Sequence, residues 1–220
     1  MQNVFLCLAL LFSWPAFGAG APAPSAKVEK LVGTAFYNGK EIHEGDSLSV
    51  NGTLETKKRS FLRIQMDVWN SSIVIGPDTK MTLDLTSPKE ANPKRYQLTD
   101  GLCRWVSAMK SSQLKGSHVF TKSASLGVRG TDFEIRNRVA SGETEVIVFD
   151  GEVLLKSNLA KSEALLKKGQ WGGVGGKFGA TIAKPVDLSP ADLKMAKERS
   201  EALVSGKSPE SSTPGESPPY

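Results

Sequence analysis

The chain has 220 residues, 39% of them hydrophobic and 23% charged, and a formal net charge of +5. That balance is ordinary for a globular protein, and the length suits one domain with tails or two small ones. The basic excess would suggest nucleic acid in a cytosolic chain. In an exported one it suits anionic head groups, cell-wall polymer or an acidic protein surface, and no nucleic-acid partner is expected.

The first 26 residues, MQNVFLCLALLFSWPAFGAGAPAPSA, hold no charged side chain and run apolar from Val4 to Phe17 before a series of small residues. The run is too short to cross a bilayer as a helix and no second one follows, so no stable membrane insertion is expected after its removal. Residues 1–21 read as a secretory signal peptide, with cleavage near 20–26. Cys7 lacks the small residues that a lipoprotein signal places before its cysteine. Removal leaves Cys103 as the single thiol, hence no internal disulfide. Its surroundings, DGLCRWV, alternate as a strand does and predict a buried apolar filler.

Residues 27–183 read as an all-β domain of short strands and tight turns. EKLVGTAFY leads to Asn38-Gly39, DSLSV to Asn51-Gly52, RYQLT to Asp100-Gly101 and TEVIVF to Asp150-Gly151. These four dipeptides predict hairpins, because both residues tolerate positive φ in a two-residue turn. SFLRIQMDVW sets Leu62, Ile64 and Met66 against Phe61, Arg63 and Gln65. No segment here keeps a helical period, and the dipeptides recur at uneven intervals without a strict repeat. Two architectures fit: an irregular, flattened β-solenoid or a two-sheet β-sandwich.

The glycine-rich GQWGGVGGKFG, Gly169 to Gly179, lacks the Gly-Lys-Ser/Thr ending of a phosphate loop. It reads as a flexible turn or as a strand closely approached by another backbone. Next, Ser189 can cap, Pro190 suits the first helical position, Asp192 follows three residues after the cap, and Gly206 can close the end. One helix is predicted within 189–206, with a thin apolar stripe of Leu193, Ala196 and Leu203 and with Met195 nearby. Residues 207–220, rich in Pro, Ser and Glu, read as a disordered tail.

The stretch SLGVRGTDFEI, Ser125 to Ile135, breaks its own alternation. Val128 and Phe133 are separated by an odd number of positions, so a bulge must flip the strand's faces between them. Gly130 supplies the freedom such a bulge needs, and Thr131 can bond the backbone it leaves unpaired. Arg129 would then fork onto a carboxylate or onto free carbonyls at the corner, with Asp132, Glu134, Asp150 and Glu152 as the candidate carboxylates.

Several pieces, in order, resemble the FecR-domain family of exported bacterial modules: GDSL at Gly45, GTLETKKRSFLRI at Gly52, IGPDTKMTL at Ile75 and LTDGLCRW at Leu98. FTKSASLGVRGTDFEI and TEVIVFDGEVLL complete the series with Val-Arg-Gly-Thr-x-Phe and V-x-V-x-x-G-x-V. The resemblance spans about Val28 to Gln170. It marks Val128, Arg129, Gly130, Thr131, Phe133, Val146, Val148, Gly151 and Val153 as motif residues, structural or binding. It implies a free-standing exported domain, periplasmic by the family's habit, that senses or binds without known chemistry. The cytoplasmic segment and membrane-spanning helix of the family's iron-uptake anti-sigma regulators are not seen, so the chain is not expected to hold a sigma factor itself.

Local signatures of chemistry are missing. His43 and His118 lie far apart without ligand spacing, and there is no Gly-x-Ser-x-Gly elbow. No enzyme activity, metal or cofactor is expected. The leading reading is a non-catalytic envelope module that recognises a protein or cell-wall polymer through an exposed strand edge. The alternative is a regulatory component of trans-envelope signalling that acts through a separate membrane protein, its C-terminal helix serving as a docking arm. A hydrolase with a dispersed site comes third.

Overall fold

The structure, a computed structural model, describes residues 26–48, 51–66, 71–84, 95–107 and 118–205. The expected signal peptide and the tail at 207–220 lie outside the described residues. Period-two alternation runs through most of the chain, and strands follow it. In Phe61–Met66, for instance, Leu62, Ile64 and Met66 are buried while Phe61, Arg63 and Gln65 are half-covered. The first elements are β1 (Ala26–Val32), β2 (Ala35–Tyr37), β3 (Lys40–Ile42), β4 (Ser47–Leu48), β5 (Gly52–Thr56), β6 (Phe61–Met66), β7 (Ser71–Ile75) and β8 (Lys80–Leu83). Three long strands follow with a short one among them: β9 (Arg95–Ser107), β10 (His118–Phe120), β11 (Ala124–Arg138) and β12 (Glu143–Ser157). The series ends with β13 (Glu163–Lys167), β14 (Gln170–Val174), β15 (Val186–Asp187) and one helix, α1 (Pro190–Ser205).

Each long strand gives its two halves to different rows. In the first row, hydrogen bonds run β3-β2-β5-β8, then through the first half of β9, β10, the first half of β11, the second half of β12, and β13. In the second row they run β4-β1-β6-β7, then through the second halves of β9 and β11, the first half of β12, β14 and β15. β10 lies parallel to β9 and antiparallel to β11, and so bridges the gap where those two strands part. The core is a closed five-strand barrel with further strands outside it. The described residues are mostly β with one α-helix near the C-terminal end, as the sequence predicts. Neither expected label, flattened solenoid or two-sheet sandwich, is established by this arrangement.

Inside, Leu54, Ile64, Ile73, Leu98, Phe133 and Ile135 are fully buried, and Tyr96 meets Trp105 edge to face at 4.6 Å. Cys103 is buried among them, as its alternation predicts. Burial, helped by the charge of Glu134, pushes its thiol up to about 12. At pH 8 the reactive thiolate is then a trace species. In a Cys7→Ser chain, a thiol reagent at pH 8 should label Cys103 only after denaturation; native labelling as fast as the unfolded control would refute a closed core.

Three of the four predicted hairpin turns are something else. Asn38-Gly39 does join β2 to β3, with φ of 51° and 78°. Asp100-Gly101 and Asp150-Gly151 instead sit inside β9 and β12, at their bends, with Gly101 at φ 99° and Gly151 at φ 80°. An Asx-Gly pair provides positive φ, which a bulge or corner uses as readily as a turn does. At Gly101 the fit is close as well, since a Cβ there would lie 2.6 Å from the Thr79 Cα. Asn51-Gly52 leads from β4 to β5, which do not pair with each other. The amide side chain of Asn38 folds over Gly52, and its Oδ1 accepts the Thr53 N–H at 2.9 Å.

The glycine-rich segment becomes β14 and a short 3-10 turn at Gly176–Phe178, with other groups pressed against its glycines. Gly173 carries the Phe178 ring, and Gly175 lies under the Gly142 carbonyl. At α1, Ser189 Oγ accepts the Asp192 N–H at 3.1 Å, which caps the helix as predicted. Its covered positions are Leu193, Ala196 and Ala202, while Met195 is 61% exposed and outside the stripe. The Leu203 side chain lies outside the described residues. Among the described residues, no helix is long and apolar enough to cross a membrane.

Candidate interaction surface

The motif residues occupy the bend and the core beneath it. Val128, Phe133, Val146, Val148 and Val153 are all buried in the central cluster. Val128 to Phe133 and Val148 to Val153 are both odd separations, so β11 and β12 switch faces together. The register shows how. Arg129 pairs with Glu152, Asp132 with Asp150 and Phe133 with Val148, so one residue is gained and then lost within a few positions. Thr131 is buried, and its hydroxyl has no partner among the described residues.

The side chain of Arg129 and the surroundings of Gly130 lie outside the described residues, so the expected arginine clamp does too. Of its four candidate carboxylates, Asp132 binds Arg104 and Glu134 binds Arg199. Asp150 meets Lys168 at 3.2 Å in the open, and Glu152 stands opposite Arg129 in register.

On the outer face of the second row, directly opposed residues make one line across eight strands. Lys30, Arg63, Val74 and Arg104 are paired in turn from β1 to β9. Glu134, Ile147, Trp171 and Val186 continue it from β11 to β15. Alternation explains the placement: Cys103 and Trp105 turn into the core, as do Phe133 and Ile135, so Arg104 and Glu134 between them turn out. Both are nevertheless buried, at 5% and 4% exposure. Their cover includes α1, whose Arg199 Nη2 donates to Glu134 Oε1 at 3.2 Å.

Arg104 turns away from the glutamate opposite and forks onto Asp132, with bonds of 2.8 and 2.7 Å. Its guanidinium also lies 4.8 Å from the Phe149 ring centre. This is the planar, bidentate, ring-facing arrangement for which arginine is better suited than lysine. Two atoms remain unmet: Arg104 Nη1 and Glu134 Oε2 are buried without a hydrogen-bond partner among the described residues.

Nearby charges adjust one another. Burial lowers the Arg136 pKa, opposed by the charge of Glu134. Burial would raise Glu145, but the hydrogen bond from Lys177 and the charges of Arg138, Lys177 and Arg136 hold it below the usual carboxylate range. Lys177 sits 2.9 Å from Glu145 and 5.1 Å from the centre of the Phe178 ring. Arg138 pairs with Glu143. Of the histidines, His43 is exposed and His118 stacks on Phe120 at 5.9 Å. The arrangement brings together guanidinium groups, carboxylates and aromatic rings, which is the chemistry of recognition. Sequence reasoning singled out Glu134 and Asp132 but missed Arg104 and Arg199, whose partners come from strands and a helix far away in sequence.

The family model described as FecR protein matches residues 52–154, which run from the start of β5 to within β12 and include the bend. No curated protein matches the chain. Two solved structures of a candidate anti-sigma factor from Parabacteroides distasonis share its fold. One, at 2.50 Å resolution, aligns with a TM-score of 0.55 and 12% identity, over 66% of this chain and 63% of the other. The second, at 1.65 Å, gives 0.53 and 12%, over 66% and 64%. The chain thus spans a little under two thirds of the length of these relatives.

Proposed function

Residues 52–154 match the FecR family as a domain, and on that premise we propose that the chain is a non-enzymatic regulatory component of envelope signalling. In this reading the chain is exported and works through a separate membrane protein. The observation that carries it is the FecR domain itself, with the bend motif in its last third. The fold shared with a candidate anti-sigma factor agrees with a regulatory role. Export rests on the uncharged, apolar first 26 residues. The carboxylates of the outer face are paired with cations, an arrangement that serves binding and has no need of reaction chemistry.

Cross-linking of the full-length chain in its own cells, followed by identification of what is captured, tests the reading. The expected capture is an integral membrane protein. Recovery of cell-wall glycan alone would favour the polymer-binding reading, and a chain confined to the cytoplasmic fraction would end both.

A further inference from the structure

We propose that α1 is a removable occupant of a helix-binding seat on the outer face, and that a helix of a separate protein, carrying an arginine among small residues, takes the same seat. The inference deepens the regulatory reading and rests on it for the class of partner, while the seat itself rests on geometry.

The seat is defined by what already sits in it. Leu193, Ala196 and Arg199 recur every third position and fall within about 120° of arc, so they share one side of α1, with Ala202 a further step round it. Ala196 is buried and Leu193 and Ala202 are half-buried, whereas Met195, Lys197 and Glu198 are exposed. Small side chains let the helix approach, and Arg199 reaches Glu134 at 3.2 Å. Glu134 is the socket, a carboxylate held almost dry in the middle of the cross-strand line.

The attachment is weak for a structural helix. Its apolar stripe buries one alanine, Ala196, and leaves Leu193 and Ala202 half-covered, and the ionic contact joins a dry carboxylate to an arginine whose side chain is 43% exposed. Between Gly179 and Ser189 the approach to α1 holds a single two-residue strand. A short tether keeps the local concentration of α1 high, which a free competitor must overcome.

The seat also has unused capacity. Among the described residues Glu134 Oε2 lacks a hydrogen-bond partner, and so does Nη1 of Arg104, the residue directly opposite it. A helix that adds an amide side chain near its arginine could donate to one atom and accept from the other. Such a helix would satisfy the face better than α1 does, because two buried polar atoms would no longer be orphaned. Displacement of α1 would then report that the partner has arrived.

Hydrogen exchange on the full chain is the first arm of the test. The α1 amides should exchange through local opening, about 100-fold faster or more than those of Phe133, Ile135 and Val146. Arg199→Ala should raise that opening roughly tenfold, as expected for losing one charge-assisted hydrogen bond, and leave the barrel strands unchanged. The second arm uses a labelled peptide of residues 188–205. It should bind the full-length Arg199→Ala chain measurably, while the same peptide carrying Arg199→Ala should not. Exchange of α1 only together with the barrel strands would overturn the proposal, and so would equal binding, or none, by the two peptides. If the peptide binds as expected but cross-linking recovers no membrane protein, the seat stands and the regulatory reading falls.

Discussion

Replacing Asp132 with alanine should destabilise the protein by about 3–5 kcal/mol, more than an exposed ion pair would suggest. The reason lies with the residue left behind. Arg104 is 5% exposed and sends two of its nitrogens to Asp132 at 2.8 and 2.7 Å. A third nitrogen, Nη1, already lacks a partner among the described residues, so the variant would hold a buried guanidinium with no hydrogen bond to any of them. Glu134 stands opposite but is engaged by Arg199, and Arg104 would have to abandon the Phe149 ring to reach it. The control is the double variant Asp132→Leu, Arg104→Met, which removes both charges and keeps apolar volume over Phe149. It should be more stable than Asp132→Ala alone, since the pair's desolvation cost disappears with the pair. Urea unfolding of the two variants decides the matter. A double variant weaker than the single would show that the pair itself, and not the stranded charge, is what matters.

Much of the barrel is visible in the sequence because burial and alternation are local. Leu62, Ile64 and Met66 announce the core face of β6, and Cys103 and Trp105 that of β9. The break between Val128 and Phe133 announces the bulge, since only an extra residue brings both to one side. The role of each Asx-Gly pair is not local. Gly39 and Gly101 both have positive φ, yet one closes a hairpin and the other bends a strand. What separates them is the neighbour: β3 returns beside β2, whereas β9 continues past Gly101 to meet β7 and β11. Partner choice across the sheet is set by the whole fold, and single-chain periodicity is silent on it.

The outer face follows the same logic. Alternation says that Arg104 and Glu134 point away from the core, and on that ground they would be read as solvated. Their burial comes from cover that arrives from elsewhere: α1, whose Arg199 lies 65 residues beyond Glu134, and the Phe149 ring from β12. Polar composition made α1 look like a surface arm. Its thin stripe suits a face that carries Arg104 and Glu134, where a salt link and an alanine stand in for an apolar seam and hold the helix only lightly.

Thr144→Val should cost about 2–4 kcal/mol although it preserves shape and adds an apolar group to a buried site. Thr144 is fully buried and its hydroxyl has three neighbours. Asn137 turns its amide nitrogen to the Leu98 and Thr99 carbonyls, so its oxygen faces Thr144 at 3.0 Å and can only accept. The single proton of Thr144 therefore goes to Asn137, and its lone pairs receive the hydroxyls of Thr121 and Ser123, each at 2.7 Å. Every proton in this cluster has one consistent place. Valine would strand the Asn137 oxygen and the Ser123 hydroxyl; Thr121 alone has an alternative, the Ala124 carbonyl at 3.4 Å. The cluster also ties the β9 bend at Thr99 to β11, β12 and the turn after β10, so its loss loosens the ring where three strands meet. Thr144→Ser keeps the hydroxyl and loses one methyl, a cost of about 1 kcal/mol. Urea midpoints at equal m-values should therefore rank wild type above serine and serine above valine. If valine equals serine, the hydroxyl relay contributes nothing, and closure at this corner rests on packing alone.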